Sequence, residues 1–106
     1  MAETSTTFET EHASRYLRQL CKHFGQKVRA EFDSRSGQIE FPFGTCELKA
    51  TDTALTLTAW SGPDTQDKLE SVLSAHLARF AFREAPKLIW RRTSSPEPKL
   101  NRQMET

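Results

Sequence analysis

His12-Ala13-Ser14-Arg15-Tyr16-Leu17-Arg18-Gln19-Leu20-Cys21-Lys22-His23-Phe24 decides the fold. Ala13, Tyr16, Leu17, Leu20, Cys21 and Phe24 recur at the three- and four-residue intervals that place apolar side chains on one stripe of a helix. A thiol lies inside that stripe. Thr10 is the expected N-cap, Glu11 the acid at the positive end of the dipole, and Gly25 the left-handed stop.

Directly after the helix the period changes to two. Val28, Ala30 and Phe32 alternate with Lys27, Arg29, Glu31 and Asp33, and Ser34–Gly37 carries turn chemistry. Ile39, Phe41 and Phe43 alternate next, until the parity slips at Gly44 and predicts a hairpin turn or bulge. Cys46, Leu48 and Ala50 then share a face, followed by Leu55, Leu57 and Ala59. Before the helix, Thr4–Glu9 reads as a strand around Phe8.

Ser61-Gly62-Pro63-Asp64 opens a second helix, whose inner stripe is Leu69, Val72, Leu73, His76, Leu77 and Phe80. Lys87–Arg91 reads as a last strand. The predicted order is β-α-β-β-β-β-α-β. It is an α+β two-layer sandwich, with two amphipathic helices covering one face of an antiparallel sheet. Residues 1–92 are expected to form one domain, and 93–106, rich in Ser, Pro and charge, a disordered tail.

The chain has 106 residues, with 15 basic and 14 acidic side chains and a formal charge of +1. That balance lacks the basic excess of a protein that grips phosphate backbones, so no nucleic-acid partner is expected. No apolar run reaches membrane-spanning length, and Met1–Ser5 lacks the basic and apolar regions of a signal peptide. A cytoplasmic protein is expected, with reduced thiols at Cys21 and Cys46 and no membrane partner.

No motif rises to a reaction. Each glycine falls at a predicted turn or helix end, no phosphate-cradling loop is present, and no catalytic residue is signalled. No cofactor is expected.

Four groups remain as candidate sites. Cys21, Cys46 and His76 all fall on inward faces and have the donor chemistry for zinc, although no ligand-like spacing links them. The other reading makes both thiols core hydrophobes. His76, Phe41 and Phe43 are candidates to line a pocket between helix and sheet, because an imidazole in an apolar stripe needs a hydrogen bond or an opening. Ser71, Ser74, Ala75 and Ala78 form an unusually small and neutral helix back. With Trp60 they suggest a surface for a protein partner or a second copy of the chain. Arg15, Arg18 and Lys22 line the outer face of the first helix and suit an anion, or are simply its solvated side.

Three blocks resemble one bacterial family: Ala13–Phe24, then Ile39–Cys46, then His76–Glu84. The family is catalogued as domain of unknown function 2218, and the resemblance covers roughly residues 6 to 91. It implies a small stand-alone bacterial protein with no catalytic residue to carry over. Related domains fused to flavin-containing siderophore-interacting reductases imply a link to iron or siderophore handling. The expected function is therefore a non-catalytic accessory or interaction module. A metal- or redox-responsive Cys/His site and a small-ligand domain stand as alternatives.

Overall fold

A computed structural model describes residues 2–84 and 86–93. The elements are β1 (Ala2–Glu9), α1 (Ala13–Phe24), β2 (Arg29–Phe32), β3 (Ser36–Phe41), β4 (Gly44–Ala50), β5 (Ala54–Ser61), α2 (Gln66–Phe80) and β6 (Arg91–Thr93). The six strands form one antiparallel sheet in the order β2-β3-β4-β5-β1-β6. The α+β architecture and the element order are those the sequence predicts.

Period-two alternation puts Ile39, Cys46, Leu48, Leu55, Leu57 and Ala59 on one face, all essentially without solvent contact. Tyr16, Leu17, Leu20 and Cys21 from α1 and Leu69, Leu73 and Leu77 from α2 close over them as a single core. Burying one such leucine contributes about 1.5–3 kcal/mol, so this layer supplies the main drive to fold. The opposite face is open and polar. Across it, Arg29, Glu40, Thr45, Trp60 and Glu3 stand in one cross-strand row.

Two glycines on the inner face set how closely the helices approach. A Cβ at Gly37 would lie 2.8 Å from Cys21 Sγ and 3.3 Å from Leu17 Cδ2, both on α1. A Cβ at Gly44 would lie 2.5 Å from the Trp60 carbonyl oxygen and 3.0 Å from Leu69 Cδ2 on α2. Gly37 thus belongs to β3 rather than to a turn. The parity slip has a simple origin: Phe41 pairs with Gly44, so Pro42 and Phe43 form a two-residue turn.

Several local expectations need correction. Gly25 ends α1 in right-handed geometry, with φ −62° and ψ −12°, because the chain continues as a further helical turn into Val28. Thr10 lies too early to cap α1, which leaves no acid in the first turn. Its hydroxyl instead accepts from the His12 N–H at 3.0 Å, and its own N–H donates to the Thr53 carbonyl at 2.9 Å. Pro63 and Asp64 precede α2, whose cap position is Thr65. The Thr65 hydroxyl lies 3.2 Å from the Phe43 carbonyl oxygen, tying the start of α2 to the β3–β4 turn.

The last strand starts later than predicted. Leu88 and Trp90 pack on the core as irregular chain, and β6 pairs with Glu3–Ser5 of β1 only through Arg91–Thr93. Thr93 is therefore part of the sheet, and the rest of the predicted tail lies outside the described residues. Arg92 falls on the inner face opposite Thr4 and clamps Glu70 of α2 through two hydrogen bonds, 3.0 Å from Nε and 2.9 Å from Nη2. It also pairs with Asp67. The Thr4 hydroxyl donates to the same Glu70 carboxylate at 2.6 Å.

Two outcomes test this packing. Gly37→Ala should lower stability by about 1–3 kcal/mol, the usual cost of overfilling a packed site. In urea titrations Cys21→Ala should recover part of that loss, since the thiol is the nearest obstacle. Independent, additive effects would contradict the close approach. The second outcome concerns acid. Hydrogen bonding from Arg92, reinforced by Thr4, holds the Glu70 carboxyl below its ordinary value of 4.5. Its contribution is present in full above that ordinary value and is lost as pH falls through the lower folded value. The fall in stability below pH 4.5 should be shallower in Arg92→Gln than in the parent; equal slopes would contradict the clamp.

A candidate ligand cleft between the helices and the β3–β4 turn

The C-terminal end of α1, the middle of α2 and the β3–β4 turn meet around a cleft of about 350 Å³. Its apolar wall is built from neighbouring rings. Phe41 and Phe43 stack with centroids 5.3 Å apart, and Phe24 meets Phe41 edge-on at 5.0 Å. All three are half-buried, as is Val72 of α2. Turn geometry explains this exposure. The Pro42-Phe43 turn ends the β3–β4 hairpin beside the first turn of α2, so Phe43 packs at the margin of the core rather than inside it.

Two imidazoles complete the wall. His23 of α1 and His76 of α2 have centroids 4.8 Å apart, and His76 is equally close to Phe24. His76 Nδ1 lies 2.7 Å from the Val72 carbonyl oxygen. A carbonyl can only accept, so Nδ1 carries the proton and Nε2 carries the lone pair of the neutral ring. His23 is exposed overall, but its pKa is lowered from the ordinary 6.5. Desolvation is the main cause, joined by the positive charges of His76, Arg79 and Lys27. Lys27 and Lys68 stand at the margin, with Lys68 Nζ 4.6 Å from the Phe43 centroid.

His76, Phe41 and Phe43, predicted from three separate elements, thus border one space. The histidine meets its burial requirement in both available ways, through a carbonyl hydrogen bond and through an opening. Sequence reasoning missed His23, Lys27 and Lys68. His23 left a faint signal: it follows Leu20 by three residues and so flanks the apolar stripe. The lysines left none, because each lies on a polar face whose neighbours only the tertiary fold chooses.

The remaining candidate groups lie elsewhere in the fold. No cluster of three or more His, Cys, Asp or Glu among the described residues is placed to hold a metal ion. Cys21 and Cys46 are buried beneath α1 and in β4, while His76 faces the cleft beside His23. Burial pushes the Cys21 thiol up to about 11 and the Cys46 thiol higher still, which keeps both neutral. The small-residue back of α2 is broken at Ser74, whose hydroxyl accepts the Trp90 Nε1–H at 2.8 Å. Ser71, Ala75 and Ala78 remain exposed. Trp60 lies on the opposite side of the sheet, donating to Glu3 Oε1 at 3.0 Å, so it cannot share a surface with them. Arg15, Arg18 and Lys22 are exposed on α1, away from the aromatic cleft. Arg15 borders a wider cleft of about 600 Å³ together with Glu9, Glu11 and Glu84, whose carboxylates oppose an anion there.

An open-faced antiparallel sheet with two helices on one side defines the class: a small two-layer α+β domain. Residues 5–91 match the family described as an uncharacterized protein conserved in bacteria, DUF2218, and the chain belongs to that family. It is similar to PA4090 from Pseudomonas aeruginosa, a protein solved by NMR. The two are 32% identical, with a TM-score of 0.73 over 86% of this chain and 96% of the other. No curated protein matches the chain. No helix among the described residues is long and apolar enough to cross a membrane.

Proposed function

We propose that the domain works by binding rather than by catalysis, holding a compact apolar molecule in the cleft between α1, α2 and the β3–β4 turn. One observation carries this reading: three phenylalanines stay half-buried around a concave space of about 350 Å³ instead of joining the core. Small-molecule sites run from about 300 to 1,000 Å³ and combine apolar walls with a few polar groups. The cleft lies at the lower end of that range, which favours a compact molecule over a long chain. Its floor rests on the helix–sheet packing, so the site is preformed. The iron- and siderophore-linked role implied by the family rests on association alone and does not enter the geometry.

A second reading concerns association. Ser71, Ala75 and Ala78 leave the back of α2 low enough for another surface to approach closely, although Trp90 narrows the stripe at Ser74. On this reading Ala78→Arg weakens self-association in sedimentation. A parent protein that stays monomeric at high concentration excludes it.

The binding reading has its own direct check. In NMR titrations, neutral naphthalenemethanol should shift signals of Phe24, Phe41, Phe43 and His76 before others. Phe43→Ala should weaken that binding about fivefold, the loss of one ring contact of ~1 kcal/mol. Shifts scattered over the surface, or none at the cleft, would refute the reading.

A further inference from the structure

We infer that the ligand is a small aromatic carboxylic acid, its ring against Phe24, Phe41 and Phe43 and its carboxylate among His23, His76, Lys27 and Lys68. This builds on the ligand-holding reading above and specifies the chemistry of that same site.

Charge is the first argument. The ionisable side chains lining the cleft are His23, Lys27, Lys68 and His76; all four are basic and none is acidic. The whole chain balances 15 basic against 14 acidic residues, so a one-signed lining is a local feature. Clefts of about 600 and 380 Å³ mix signs, the first setting Glu9, Glu11 and Glu84 beside Arg15 and Arg83, while one of about 410 Å³ carries Lys87 and Arg91 but no aromatic ring. A concave apolar wall with cations of one sign at its margin focuses potential on an anion.

Geometry is the second argument. Lys68 stands over Phe43 itself, so a positive charge is held beside the ring that a stacked aromatic would meet. Phe41 and Phe43 offer stacked faces and Phe24 an edge, the arrangements aromatic partners prefer. The bond from His76 Nδ1 to the Val72 carbonyl leaves Nε2 as the ring's remaining polar atom, which becomes a donor on protonation. Two imidazoles without a carboxylate or thiolate beside them are poor material for a complete metal site, but they suit a carboxylate.

Binding of this kind is linked to protons. His23 is surrounded by positive neighbours: His76 and Arg79 from α2, and Lys27 from the turn after α1. Together with desolvation they hold its pKa below 6.5 in the empty protein. An incoming carboxylate opposes all three charges and draws a proton onto the imidazole. Affinity for the acid therefore rises as pH falls through the imidazole range, while affinity for a neutral isostere does not.

The experiment titrates the nitrogen-labelled full chain by NMR with naphthoate and with naphthamide, which match in size and differ in charge. It is run at about pH 7.5 and about pH 5.5, on either side of the ordinary imidazole value of ~6.5. Both probes should shift the cleft signals. Naphthoate should bind about tenfold more tightly at the lower pH, the smaller end of what a hydrogen bond to a charged group contributes. Lys68→Gln and Lys27→Gln, both at exposed positions, should narrow the ratio of the two affinities, and Lys68→Arg should keep it. Equal affinities at the cleft, or a ratio unchanged in the Gln variants, would overturn the acid while leaving the ligand-holding reading intact. Naphthoate shifts centred on Arg15, Arg18 and Lys22 would overturn it too. If neither probe touches the cleft, the underlying reading falls with it.

Discussion

The missing side chain at Gly37 governs how α1 sits on the sheet. Leu17 and Cys21 occupy the volume that a Cβ there would claim. Gly44, in the next strand, leaves room first for Trp60 and Ser61 of β5 and then for Leu69 of α2. A sheet face is normally a continuous layer of side chains, and helices ride at the height those side chains set. Gly37 lies at the β2 end of β3, under α1, and Gly44 at the β3–β4 turn, near the start of α2. α1 packs chiefly on β2 and β3 and α2 on β5 and β1, while the hairpin turn with Phe43 meets the first turn of α2. The aromatic cleft is the space left between that turn and the facing flanks of α1 and α2.

That origin explains why the cleft is both apolar and charged. Its floor is the margin of the core, so phenylalanine and valine line it. Its rim is the polar flank of two helices and the chain leaving α1, so lysines and imidazoles surround it. His23 and His76 stand at the boundary, close enough that His76 helps hold the His23 pKa down. The two thiols lie deeper, where desolvation keeps them neutral and shields them from reagents that attack thiolates. Core and site are thus one packing arrangement, and the side chains that differ between them are those at its edge.

The far edge of the sheet is held by different physics. β6 is only three residues long, and few ladder bonds fix it. Arg92 compensates by forking onto Glu70, with Thr4 of β1 completing the carboxylate's partners. A two-pronged guanidinium–carboxylate pair with one partner largely covered is better placed to matter than an exposed ion pair such as Arg29–Glu31. It fastens β6 to α2 without asking for more core, and Trp90 on Ser74 adds a second fastening one turn further along the same helix.

Alternation and helical spacing, read from the chain alone, identified both helical stripes and the inward residues Ile39, Cys46, Leu48, Leu55 and Leu57, because these periods are properties of local backbone geometry. They also marked His76 as a polar group in need of a partner. They could not seat Gly37 beneath a helix, since a glycine in a strand and one in a turn look alike until something approaches it. Nor could they show that Trp90 covers Ser74, or that Trp60 and the back of α2 face opposite ways. Tertiary structure alone set β1 between β5 and β6 and brought His23, Lys27 and Lys68 to the rings of Phe41 and Phe43. Polar faces carry no periodic signature of their neighbours. Which of them meet is decided by how the buried faces close, and that depends on the whole chain at once.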